Sequence, residues 1–441
     1  MSQPLSQRLF ASTSLALICI AFPSFAAAGD EVSGDAALRE LVQQALESRT
    51  ELAQVTAQVR AARARVPQAE AWPEPMLQVG VQNDSFNKWN VGTMETSWVS
   101  FMASQTIPFP GKLGAKADVA QSDARVTELS ADRVRLSTIA EVRRGYLALQ
   151  VLRERRGLLA RLAALNNRLV ELARIRVESN QGTQAELLRA QVELSRVIQR
   201  TLQLDSEERV QVQALNQLRR QPLDTAITSS ELKTFPGLLD EDAALALARE
   251  HSPELLAAKE GLTRADASAS LARRSYFPDL AVSAGVMVRG RLDPMWALTL
   301  GVPLPVFAGA RQSRALAEAE AMKEASQRGS EGVEQVLTLR AHQRADSMKA
   351  LTAIWKTWQD GLLAQASAAA ESTLSQYSSG RAPLSAVLEA NAVSISEVEA
   401  SLQVLANAWR LAIAQDELAL GEVATRIVTS SSSSPSATAG M

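Results

Sequence analysis

The chain has 441 residues, 46% of them hydrophobic and 21% charged, with a formal net charge of −2. This hydrophobic content excludes a disordered chain, and near-neutrality without a domain-scale basic patch argues against a nucleic-acid partner. Aromatic residues, at 4%, are thin for globular cores but natural for helical coiled coils.

At the N-terminus, Arg8, an apolar stretch from Leu15 to Phe22 and the small residues Ser24–Ala28 predict a secretory signal over 1–28. Cys19, the single cysteine, falls inside it, and no small residue stands directly ahead as a lipidation signal requires. Beyond it no apolar run reaches the roughly 18 residues of a membrane helix, so a membrane crossing would have to use strands.

From Ala36 to Ala71 apolar residues recur at helical spacing, and Pro73 and Pro75 end the helix. Leu77, Val79 and Val81 alternate with polar or small residues, Asn83–Thr96 reads as a loop, and Trp98–Thr106 as a returning strand. In Thr106–Lys112 (TIPFPGK), Pro108, Pro110 and Gly111, with Lys112, stop the strand and redirect it into a helix. A phosphate loop is excluded there, since Leu113 stands where a hydroxyl would hold magnesium. Leu113–Asn180 steps by three or four without a proline, a rod on the order of 100 Å. After the turn at Glu178–Glu186, Leu187–Arg220 returns.

The same order then repeats. Asp240–Arg274 reads as helix, and Leu280, Val282, Ala284, Val286 and Val288 share one strand face. A turn at Arg289–Pro294 leads to Met295–Val302, then to the second proline pair in Gly301–Phe307 (GVPLPVF). A second rod spans Ala310–Ser379, and Leu384–Gly421 returns after the turn at Tyr377–Ser385. The expected organisation is a signal peptide at 1–28, a first repeat at 29–222 and a linker at 223–239. A second repeat at 240–422 and a Ser-rich disordered tail at 423–441 complete it. The strand pairs fall at 75–107 and 279–303, the helical hairpins at 113–221 and 310–421.

Each strand has about the 9 to 11 residues that cross a bilayer when tilted, although a soluble hairpin packed on helices has the same pattern. Four membrane strands cannot close a barrel, which needs about eight; two copies would give eight strands and three would give twelve. The chemistry is sparse. His251 and His342 are the only histidines, His251 beside a helix break at Ser252 and Pro253 where a surface role suffices. No catalytic residue, metal site or cofactor is expected.

The signal, the duplicated strand-pair and long-helix unit and the helix turns together resemble the TolC family of outer-membrane efflux proteins. Ser104–Lys112 (SQTIPFPGK) is similar to the heavy-metal branch, of CzcC and CusC type. The resemblance implies an α+β membrane protein, not an enzyme: a homotrimer with a 12-stranded β-barrel in outer-membrane lipid and a helical coiled-coil barrel across the periplasm. It implies a passive exit duct partnered by a periplasmic adaptor (membrane fusion protein) and an inner-membrane RND pump, with heavy-metal cations as cargo. A drug-efflux or type I secretion duct is the alternative; a soluble periplasmic coiled-coil scaffold is an alternative of another class. By the same resemblance, YSSGRAPLSAVLEA places gate or pore candidates at Tyr377, Arg381 and Glu389, with Ala386 where the family has an acid. In three copies Glu389 forms an acidic ring, unless it is an ordinary solvated helix charge. Gly182 and Gly380, at the two hairpin turns, are the adaptor-docking candidates.

Overall fold

The computed structural model describes residues 35–237, 240–418 and 420. The expected signal with Cys19, the tail at 423–441 and the end of the last expected helix at Gly421 lie outside the described residues.

Leu38, Leu41 and Ala45 form one buried stripe on α1 (Ala36–Ser48), whose first turn is capped by Asp35 accepting from Ala37 N at 3.0 Å. The expected single helix over 36–71 is in fact two: Arg49 is extended, and α2 (Thr50–Glu70) begins after it. The break lets Arg49 reach Glu141 on the long helix at 2.6 Å while it pairs with Glu51 at 2.7 Å. The second half breaks at the matching place. There α5 (Glu241–His251) and α6 (Pro253–Arg274) meet at Ser252, whose hydroxyl caps Leu255 N and whose neighbour Pro253 starts α6.

The strands are β1 (Met76–Gln82), β2 (Trp98–Ile107), β3 (Leu280–Arg289) and β4 (Leu292–Gly301), in one antiparallel sheet of order β1-β2-β3-β4. The β3–β4 turn is shorter than the sequence suggests. Gly290 and Arg291 alone make it, with Gly290 at φ 63, and Pro294 lies within β4. The register shifts between Met287 and Arg289, leaving one extra β4 residue unpaired, and such a bulge tolerates a residue with no N–H. One row across the sheet reads Val79, Phe101, Val286, Trp296; the next reads Leu77, Ala103, Ala284, Leu298. This apolar face is exposed, with Trp296 at 79% and Leu77 at 71%. No helix packs extensively on the sheet, and β1 and β4 each keep one unpaired edge among the described residues.

The spine is α3 (Lys112–Glu178), 67 residues without interruption. It packs against α1, α2 and α6, against its return helix α4 (Gln184–Leu218), and against the last helix, α9 (Leu384–Asp416). The second rod is not continuous as expected: α7 (Gln312–Thr357) passes through a π-helical turn at Trp358–Leu362 before α8 (Leu363–Ser378). Gly361, at φ 142, makes that turn, and the Trp358 indole donates to Glu397 at 3.0 Å. The segment at 223–237, expected to be a linker, is a packed strap. Ile227 joins the core of Leu38, Val142, Tyr146 and Leu215, while Arg153 donates to the Ile227 carbonyl at 2.7 Å and to the Ser229 hydroxyl at 2.6 Å. No helix is long and apolar enough to cross a membrane among the described residues.

The end of the described chain is tied to the spine through Glu417, whose side chain is 5% exposed. Arg133 reaches it at 2.8 Å and Arg144 at 2.5 Å, and Arg133 also holds Glu254 at 3.0 Å. Nearby, burial and then the charge of Arg340 bring the Arg344 guanidinium down to about 10, with Glu417 opposing and Arg133 adding to the fall. Removing this carboxylate would leave part-buried cations facing one another. Glu417→Ala is therefore expected to cost about 1 to 3 kcal/mol, read as a lowered thermal midpoint in detergent-purified protein.

Candidate functional site

The two helical hairpins end side by side and are built alike. In the first, Gln181 N and Gly182 N both donate to the Arg176 carbonyl, at 2.8 and 2.9 Å, around Asn180 at φ 57. In the second, Arg381 N and Ala382 N both donate to the Gln376 carbonyl, at 2.8 and 3.3 Å, around Gly380 at φ 73. The left-handed position of the first turn is thus Asn180, not Gly182. Gly182 is needed for closeness instead: a Cβ there would stand 3.0 Å from the Arg176 Cβ. After it, Thr183 caps α4 by accepting from Glu186 N at 3.3 Å.

Arg176 joins the two tips. Its Nη1 donates to the Tyr377 carbonyl at 2.6 Å and its Nη2 to the Gln181 carbonyl at 3.0 Å. The guanidinium carbon also sits 4.7 Å above the Tyr377 ring, a cation–π contact. Around it Leu169, Ala173, Ala190, Leu384 and Val387 close a small apolar core. Tyr377, expected among the gate and pore groups, is 0% exposed: its ring is the packing centre between the hairpins. Its hydroxyl and Glu186 Oε2 are buried without a hydrogen-bond partner. Burial and then the Glu186 charge push the Tyr377 phenol up, with Arg176 opposing. Arg381 and Glu389 are exposed, Arg381 at the tip and Glu389 a turn and a half into α9, so solvent reaches both.

A second constellation stands at the base of the sheet, where Pro108, Pro110, Gly111 and Lys112 turn β2 into α3. The Phe109 and Phe277 rings stack with centroids 4.4 Å apart. Lys112 Nζ pairs with Asp279 at 2.7 Å and donates to the Phe277 carbonyl at 2.9 Å, while Phe109 N donates to Asp279 at 2.9 Å. Burial works against the Asp279 charge, but the Lys112 and Phe109 hydrogen bonds hold its carboxyl below the usual range. Gly111 cannot be replaced freely, because its φ of 83 is left-handed and strains any side chain, and the Arg274 guanidinium would also have to swing aside. These residues weld the first half's strand-to-helix turn to the second half's helix-to-strand turn, a structural role. The corresponding turn of the second half, with Leu304, Val306 and Phe307, is exposed.

Sequence reasoning missed Arg176, the residue on which the tip depends. The only available signal was the equivalence of the two turns, which aligns Arg176 with Gln376 and so sets it beside Tyr377.

Residues 41–220 match the family model described as outer membrane efflux protein. The pyoverdine export outer membrane protein OpmQ of Pseudomonas putida is 28% identical over 383 residues, covering 80% of this chain and 79% of the relative. The nickel and cobalt resistance protein CnrC of Cupriavidus metallidurans is 27% identical over 256 residues, 56% of this chain and 58% of the relative. Among solved structures, the outer membrane protein VceC of Vibrio cholerae superposes with a TM-score of 0.75 at 20% identity, covering 89% of this chain and 97% of that one.

Tyr377→Phe is expected to be neutral or slightly stabilising at pH 7, because the lost hydroxyl has no partner. The raised phenol contributes stability that is present below the unfolded value of about 10 and lost as pH rises through the folded one. The variant's stability should consequently fall less steeply on the alkaline side in thermal melts at stepped pH. Arg176→Lys, unable to stack or to donate twice in a fork, should increase proteolytic nicking at both turns.

Proposed function

We propose that this chain, a member of the outer membrane efflux protein family through residues 41–220, forms the outer-membrane exit duct of a tripartite efflux system of the resistance-nodulation-division type. It is an outer-membrane channel protein and not an enzyme. The observation that carries the finer reading is the sheet: four strands with one exposed apolar face and two unpaired edges. Bare strand edges cost several kcal/mol per group in hydrocarbon, so the edges of β1 and β4 are met by further copies. Three copies supply twelve strands, and the helical hairpins of all three continue the wall as a tunnel on the periplasmic side.

Export through such a duct is passive, with energy supplied by the inner-membrane pump and contact made by a periplasmic adaptor at the hairpin tips. Gly182 and Gly380 mark the turns where the adaptor would seat. Glu389, exposed near the second turn, would repeat around the axis as an acidic ring that favours cations. Metal cations are the favoured cargo, supported by the resistance function in the name of one relative; an organic cargo is the competing reading, supported by another.

In outer-membrane fractions the protein is expected to run as a heat-modifiable oligomer. Val286→Arg, at the centre of the apolar face, should cost about 2 to 4 kcal/mol and deplete that oligomer, whereas Thr299→Arg on the opposite face should leave it intact. Recovery only in soluble periplasm would overturn the reading. A deletion strain should become sensitive to divalent or monovalent metals; unchanged metal tolerance with hypersensitivity to lipophilic compounds would reassign the cargo.

A further inference from the structure

The sheet holds four methionines, and the register sets all of them on the face opposite the apolar one. Met76, Gln78, Gly80 and Gln82 point that way from β1, as do Ser100, Met102 and Ser104 from β2. Ser283, Gly285 and Met287 follow from β3, and Met295, Ala297 and Thr299 from β4. Met287 and Met295 are direct cross-strand partners, a placement that brings Cβ atoms to about 4.5 to 5.5 Å. Met102 lies over Gly285, since a Cβ added there would meet the Met102 Cγ at 2.6 Å, and Gly285 is two residues from Met287 on the same face. Three thioethers therefore converge on one patch. All three are half-buried, whereas Val286 and Trp296, alternating with them, are exposed.

Methionines ordinarily fill gaps in packed cores. No helix covers this face extensively, and apart from Trp98 and Arg289 at its turn end its other side chains are hydroxyls, amides and small residues, the composition of a wetted wall. Thioether sulfur is a neutral, soft donor that favours Cu(I) and Ag(I), while Ni(II), Co(II) and Mg(II) favour imidazole or oxygen. Among the described residues no group of three or more His, Cys, Asp or Glu side chains is placed to hold a metal.

We propose that Met102, Met287 and Met295 form a transit site for a soft monovalent cation, Ag(I) or Cu(I), on the lumenal wall of the barrel. The inference rests on the channel reading above and extends it by naming a site and a cation class. Neutral thioethers hold such an ion without trapping it, as conduction requires. With one patch per copy, the ion meets a ring of equivalent stations at one level of the barrel.

The test uses the mature full-length chain in planar bilayers, in nitrate electrolyte, with silver nitrate as the probe. Cys19 is the chain's single cysteine and lies in the expected signal, so with the signal removed no thiol is available to react with silver. Wild type should conduct, and micromolar silver should produce brief blockades that nickel nitrate at the same concentration does not. The combined Met102→Leu, Met287→Leu and Met295→Leu variant keeps size and apolarity. It should conduct normally while needing about tenfold more silver or above for the same blockade, with the edge-strand variant Met295→Leu alone intermediate. Silver K-edge absorption on the loaded protein should report sulfur neighbours that the triple variant lacks. Conducting wild type without silver blockades, or blockades unchanged in the triple or single variant, overturns the thioether site and leaves the channel intact. No conductance from an assembled oligomer overturns the channel reading and the site with it.

Discussion

Unpaired backbone is the constraint from which the rest of this structure follows. β1 and β4 end the sheet with rows of N–H and C=O groups that no strand among the described residues pairs, on a surface already apolar across Leu77, Val79, Val286 and Trp296. A soluble domain would bury that face under a helix. Here the helices instead continue the sheet lengthwise, and α3 alone extends on the order of 100 Å from it. On the channel reading proposed above, the chain is a panel whose lateral surfaces would be finished by its neighbours. The stack of Phe109 on Phe277 and the Lys112–Asp279 pair show such a joint already made once, between the two halves of a single chain.

Ion pairs are frequent, and the carboxylates most withdrawn from solvent sit where helices converge. Arg133 and Arg144 bind the Glu417 carboxylate at the end of the described chain, and Arg153 fixes the crossing strap through Ile227 and Ser229. At the distal tip a single guanidinium does the same for two hairpins, but there it lies over an aromatic ring. That ring is buried with its hydroxyl unsatisfied, a cost tolerated because the ring's packing and its contact with Arg176 offset it.

Much of the architecture was legible in the sequence because it is periodic. Alternation over Leu77–Val81 and Leu280–Val288 placed the strands, and steps of three and four placed the rods. The proline pairs marked where strand becomes helix. Local irregularities were not legible, since each is decided by a distant partner. Arg49 breaks a helix in order to reach Glu141, and the two-residue turn at Gly290 pulls Pro294 into a strand that a proline would be expected to end. The strap at 223–237 reads as a linker because its anchors, Ile227 and Phe235, are isolated and carry no period. At the tip the motif falls on the second hairpin turn, but it could not show that Tyr377 is buried, because burial there is set by Arg176 from the other hairpin, 201 residues earlier.

The two rods, alike in length, differ in continuity. α3 runs unbroken, whereas the second rod crosses the π turn at Gly361, seventeen residues before Ser378, or about 25 Å from the tip. One arm is a strut and the other is jointed. A load applied at the tips would meet a continuous helix in the first hairpin and a kinked one in the second, so the two halves of one chain offer unequal stiffness along the same length.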